Sequence, residues 1–185
     1  ANSNAEGILR KLTQNISVDK LTVTVEETSM GFLTGLIPYI QSIPARELTM
    51  NIGKYVRHFG STLSELSDDS LDEWIRDREL LNLPDVPTDI SDSGLFRVFN
   101  DMSSSLITLR RIVINANRRV VANLLKRIGI AYVGESWTAT SKDAMVFFAS
   151  STKTFFFVIG SSMLITMEKD GDLCMERHNE DGSLP

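Results

Sequence analysis

The chain has 185 residues, 42% hydrophobic and 23% charged, a composition that supports a buried core and excludes wholesale disorder. One cysteine and two histidines exclude a disulfide framework and a cysteine-rich zinc module, and neither a metal nor a cofactor is expected. The net charge of -5 weighs against general binding of polyanions but does not fix where the charges lie.

Residues 1–5 are polar and expected to be loose, and a short helix is expected from about Glu6 to Leu12. Asn15-Ile16-Ser17 fits the glycosylation acceptor pattern, a triplet common by chance. Lys20 to Val25 has the β-branched alternation of a half-buried strand. Thr28 or Ser29 can cap a helix from Met30 to Ile43, which Pro38 should kink or split and Pro44 should end. Glu47 to Ile52 repeats the strand pattern 27 residues later. That separation suits a leucine-rich type of repeat, but a plain β-α-β crossover needs about the same length and is the preferred reading.

A helix is expected over Lys54 to Leu66. Ser70-Leu71-Asp72-Glu73 has the capping-box spacing, ahead of a helix that uses Leu71, Trp74, Ile75 and Leu81 and finishes by Asn82 to Pro84. Two prolines in Pro84 to Asp89 argue for a linker or surface loop rather than a central strand. One domain over 1–185 is expected, and any internal boundary belongs at 83–92. Gly94 to Met102 reads as another short helix.

The stretch Leu106 to Val133 reads as strand, basic helix and strand. Ile107 to Ile114 is largely β-branched, Val120, Val121, Leu124, Leu125 and Ile128 recur at helical spacing, and Gly129 stands where the helix should stop. Beyond it, Tyr132-Val133, Ala144 to Ala149, Phe155 to Ile159, Met163 to Glu168 and Leu173 to Arg177 read as short strands. Asp170-Gly171 signals a hairpin turn. Residues 178–185 are polar and expected to be disordered. The fold class is therefore α+β or mixed α/β: two β-α-β crossover units, then C-terminal antiparallel hairpins, with helices packed on the sheet.

The Leu21 to Val25 and Leu48 to Ile52 strands, Ser70 to Ile75 and the terminal Leu164 to Gly171 together resemble the substrate-recruiting regions that follow an F-box in nematode proteins. These residues contain no F-box, and no function is carried over from the resemblance.

Charge distribution is the most informative irregularity. Arg110, Arg111, Arg118, Arg119, Lys126 and Arg127 are six of 19 basic residues and fall within 18 positions. In the helix, Lys126 and Arg127 complement the dipole while Arg118 and Arg119 oppose it, which points the early pair toward an external partner. The partner would be a protein or a second copy, gripped through carboxylates, or a nucleic acid or other phosphate. Two inward readings compete: a merely solvated face, or neutralisation by the acidic segment Glu65 to Asp92.

A second, apolar candidate interface comprises Phe147, Phe155 and Phe157. Consecutive phenylalanines alternate faces, so Phe156 must oppose Phe155 and Phe157. Coverage of both faces by protein is the first reading and an exposed interaction face the second. Base stacking is disfavoured, since only Lys142 and Lys153 lie near as cations.

No catalytic residue is assigned. Phosphate-loop and nucleophile-elbow patterns are missing, and Cys174 and His178 on a strand stand about 13 Å apart, too far for a dyad. Glu168, Asp170 and Asp172 read as a solvated turn. An enzyme would need His58, Asp69 or Glu73 to converge with the tail. The sequence thus reads as a non-enzymatic protein-interaction or assembly module, with nucleic-acid or phosphate binding and a small enzyme as alternatives. It is expected to be intracellular, cytoplasmic or nuclear; the apolar stretch Thr154 to Met167, broken by Gly160, Ser161 and Ser162, is too short for a membrane helix.

Overall fold

A computed structural model describes residues 7–8, 10–11, 14, 17–24, 30–52, 63–150, 152–168 and 171–178. Of the expected Glu6 to Leu12 helix, Gly7, Ile8, Arg10 and Lys11 are described and helical; its other residues, the glycosylation triplet at Asn15 and Ile16, His58, Asp170, both termini and the start of the Lys54 to Leu66 helix lie outside the described residues.

The first half of the chain builds a parallel sheet by successive crossovers. β1 (Val18–Thr24), α1 (Met30–Ser42) and β2 (Ala45–Asn51) form the first unit, with Lys20 in register with Glu47 as the sequence spacing predicts. α1 runs through Pro38 as one helix. β4 (Leu80–Asp89) and β5 (Arg111–Asn115), linked by α3 (Asp92–Ser103), extend the sheet in parallel. Successive registers, Lys20 to Glu47, Glu47 to Leu80 and Leu80 to Arg111, are 27, 33 and 31 residues apart, so the crossovers share a geometry without a fixed period.

The second half closes as hairpins. β8 (Ala144–Ala149), β9 (Lys153–Val158), β10 (Met163–Glu168) and β11 (Asp172–Arg177) pair antiparallel, and β11 joins β5. The order across the sheet is β1-β2-β4-β5-β11-β10-β9-β8. The mixed α/β class, its crossovers and its C-terminal hairpins are those expected.

Several local expectations are corrected. Leu63 to Leu66 is not helical but lies in β3 (Leu63–Ser67), parallel to the end of β4. α2 (Leu71–Ile75) is one turn long, and Leu81 belongs to β4. Ser70 gives no side-chain cap; its hydroxyl accepts from the Ser67 N–H at 3.1 Å. Pro84 to Asp89 is no linker but the second half of β4, in the middle of the sheet. Its prolines are tolerated because the ladder to β2 ends at Asn82 and the ladder to β5 shifts between Asn82 and Pro87. Asp85 sits in that bulge with φ +62°.

Of the expected 107–114 strand only 111–114 is regular, within β5. α4 (Arg118–Arg127) ends at Gly129, whose φ of +88° suits the left-handed stop. The next strand, β6 (Ile130–Val133), does not return to β5; it pairs with β7 (Ser136–Ala139) as a separate hairpin.

One core lies under one face of the main sheet. Leu48, Met50, Leu81, Ile112, Ile114, Phe156, Met163, Ile165, Leu173 and Met175 point into it with Ile37 and Ile40 of α1, Trp74 of α2, Leu95 and Met102 of α3, and Leu124 and Leu125 of α4. Each such side chain contributes about 1.5–3 kcal/mol on burial.

Candidate functional site

The order β1-β2-β4-β5 advances in one direction, and right-handed crossovers taken in one direction place every connection on the same face. The helices accordingly stack on one side, and no described helix supplies core residues to the other. Along β9 the alternation is complete: Thr154, Phe156 and Val158 are buried, while Phe155 and Phe157 on the opposite face are only partly covered. The expectation that helices cover both faces is therefore corrected for the described residues.

Strand registers lay out the open face as rows. One crosses all eight strands: Lys20, Glu47, Leu80, Arg111, Glu176, Leu164, Phe157 and Met145 stand side by side. The next runs Thr22, Thr49, Asn82, Val113, Cys174, Thr166 and Phe155. The face is polar over the parallel strands, with Lys20 paired to Glu47 at 3.4 Å, and apolar over the hairpins, where Met145 is 40% exposed. Between the halves lies a groove of about 400 Å³ lined by Arg111, Val113, Leu164, Cys174, Glu176 and His178.

Chemistry in the groove is that of recognition. The Arg111 side chain hydrogen-bonds Cys174, which with the adjacent Glu176 carboxylate holds the guanidinium charge above its ordinary range against burial. Burial pushes the Cys174 thiol up, Arg111 only partly opposing it, so the thiol is a poor nucleophile. His178 stands edge-on to Phe157 with ring centroids 6.3 Å apart, and its Nε2 is buried without a hydrogen-bond partner among the described residues. Among the described residues no three His, Cys, Asp or Glu side chains cluster to hold a metal.

The basic residues read from the sequence separate. Arg111 lies on the open face, whereas Arg110 is a half-buried residue just before β5 whose N–H donates to the Glu79 carbonyl at 2.8 Å. The other four lie on α4, across the sheet. Arg127 is neutralised by Asp92 at 2.9 Å and lies 5.5 Å over the Phe96 ring, so for it the self-neutralised reading holds. Arg118, Arg119 and Lys126 are exposed and pair with no described acid. Phe155 and Phe157 share the open face; Phe147 is placed in β8 by its backbone, beside the register shift between Val146 and Phe148, and its side chain lies outside the description.

Among the described residues the enzyme candidates do not converge. Asp69 is exposed, and Glu73 accepts from Gln41 Nε2 at 2.9 Å on the outer surface. Asp172, expected in a solvated turn, is instead buried and structural: its Oδ1 accepts from Asp85 N–H at 2.9 Å and Asn115 Nδ2 at 3.0 Å. Comparisons with protein-family models, curated proteins and solved structures found no match.

Among the described residues no helix is long and apolar enough to cross a membrane.

Proposed function

We propose that the chain is a non-enzymatic protein-interaction module whose binding surface is the open face of its sheet. The supporting observation is the one-sidedness of β9 and β10: Phe156, Met163 and Ile165 are buried in the core, Phe156 against Trp137 of the β6–β7 hairpin, while Phe155, Phe157 and Leu164, with Met145 beside them, form an apolar field bordered by Arg111 and Glu176. Such a field is continuous, flanked by charge and shaped by rigid strands, the character of a partner-binding patch. The occupant is a protein surface, either a partner or a second copy of the chain. The protein is read as intracellular, cytoplasmic or nuclear, in keeping with its single unpaired cysteine.

The test is affinity purification from native extract with wild type, with Phe157→Glu/Leu164→Glu, and with Arg118→Glu/Arg119→Glu, alongside sedimentation of the pure chain. Specific capture or self-association that the sheet variant loses supports the reading. Binding that survives the sheet variant but not the helix variant moves the primary surface to α4.

A further inference from the structure

Residues of the β6–β7 hairpin and the start of α4, with Ser150, Thr152, Lys153, Glu168 and Gly171, line an open cavity of about 620 Å³, within the range of ligand pockets. One wall is aromatic. Tyr132 and Trp137 stand 5.1 Å apart at 61°, Trp137 is backed by Phe156 at 5.5 Å, and Tyr132 remains 54% exposed. A tyrosine so exposed beside a half-buried tryptophan gives the cavity an apolar side with no covering partner among the described residues.

The opposite wall holds Arg118, the first residue of α4. Arg119 follows it and Lys126 lies two turns on, both exposed on α4 beside the cavity, and α4 has no acid in its first turn. Two guanidinium groups at the positive end of a helix dipole raise the local potential instead of balancing it, an arrangement that external carboxylates would relieve. Arg127, by contrast, is already held by Asp92.

The remaining charges select the kind of anion. Lys153 and Glu168 on the lining pair at 3.0 Å and cancel, and Glu135 adds a negative charge. A polyphosphate inside the cavity would meet both carboxylates. An extended peptide would not, because Arg118 and Lys126 lie about 12 Å apart along the helix, the length of three to four extended residues. Carboxylates can follow α4 outside while one side chain enters between Arg118 and Trp137.

We propose that this cavity receives an aromatic or large aliphatic anchor side chain from an acidic segment of a partner protein, whose carboxylates pair with Arg118, Arg119 and Lys126. The cavity shares only the Lys153–Glu168 ion pair with the groove of the open sheet face, and either surface can fail alone.

Phage-displayed random peptides selected on the wild-type chain, with counter-selection on Arg118→Glu/Arg119→Glu, test it. Recovered peptides should carry Asp or Glu around a Trp, Tyr, Phe or Leu. A synthetic copy should change the fluorescence of Trp137 and lose that response in Trp137→Phe, Trp74 being fully buried. Its affinity should fall about tenfold or more with the charge reversal or with alanine at the anchor, and stay unchanged in Phe157→Glu/Leu164→Glu. Circular dichroism should show all variants folded. No enrichment, peptides without acids, or peptides held equally by the charge-reversed chain would overturn the proposal. So would charge-dependent binding of an RNA oligonucleotide or of phosphatidylserine vesicles without peptide binding.

Discussion

Arg78 Nη2 donates to the Gln41 carbonyl at 2.9 Å, joining a buried cation to the last turn of α1. Its Nε donates to Trp74 O at 2.7 Å in α2, and Nη1 to Ala45 O at 2.9 Å where β2 begins. The side chain is 2% exposed and has no carboxylate partner among the described residues; burial lowers its pKa. Helix C-termini carry partial negative charge, so this guanidinium serves as a shared cap. Replacing Arg78 with Met should cost about 3–5 kcal/mol, because buried carbonyls lose a charged donor. Arg78→Lys should fall between, lacking the fork. Urea midpoints measure both.

Asp68 fixes the start of α3 by accepting from the Ser91 N–H at 2.9 Å and from the Ser91 hydroxyl, which itself accepts from Gly94 N–H at 3.1 Å. A Cβ at Gly94 would stand 2.8 Å from Asp68 Cγ and 3.2 Å from Ile90 Cγ2. Gly94→Ala should therefore destabilise by about 1–3 kcal/mol. Asp68→Ala should cost about 1–2 kcal/mol by unsettling the cap. In the double variant the contact with Asp68 is gone and only that with Ile90 remains, so thermal unfolding should show a loss smaller than the two added together.

Asp172 links β11 to the bulge in β4, and burial pushes its carboxyl pKa above 3.8, the bonds from Asn115 and Asp85 only partly opposing this. The folded chain then holds this proton more tightly than the unfolded chain. The resulting stability is complete below 3.8 and is lost as pH rises through the raised value. Asp172→Asn keeps an acceptor oxygen but cannot titrate. Urea midpoints from neutral pH down to about 4 should show wild type gaining on the variant as pH falls. A constant difference would contradict the assignment.

Much of the architecture was legible because it rests on local pattern. The 27-residue offset of Lys20 and Glu47 is the observed register, and the alternation of Phe155, Phe156 and Phe157 is the observed facing. The missed features depend on distant partners. Pro84 and Pro87 signal a loop unless the adjoining ladders stop or shift beside them, and Asp172 reads as solvated until the β4 bulge closes over it. Arg78 carries no local signal, as its acceptors lie at 41, 45 and 74. Which sheet face stays open follows from strand order, and that order was not specified by the sequence pattern. The basic cluster was visible as a run of residues, but only the fold separates Arg111 from α4 and reveals Arg127 as neutralised.

The most direct measurement is photocrosslinking of the chain bound to its partner, with benzoylphenylalanine at Met145 on the open face or at Leu106 in the loop after α3, which are 40% and 74% exposed. The account predicts a specific adduct from position 145 that Phe157→Glu/Leu164→Glu abolishes, and none from position 106. Adducts of equal yield from both positions, or an adduct at 145 that survives the sheet variant, would contradict it.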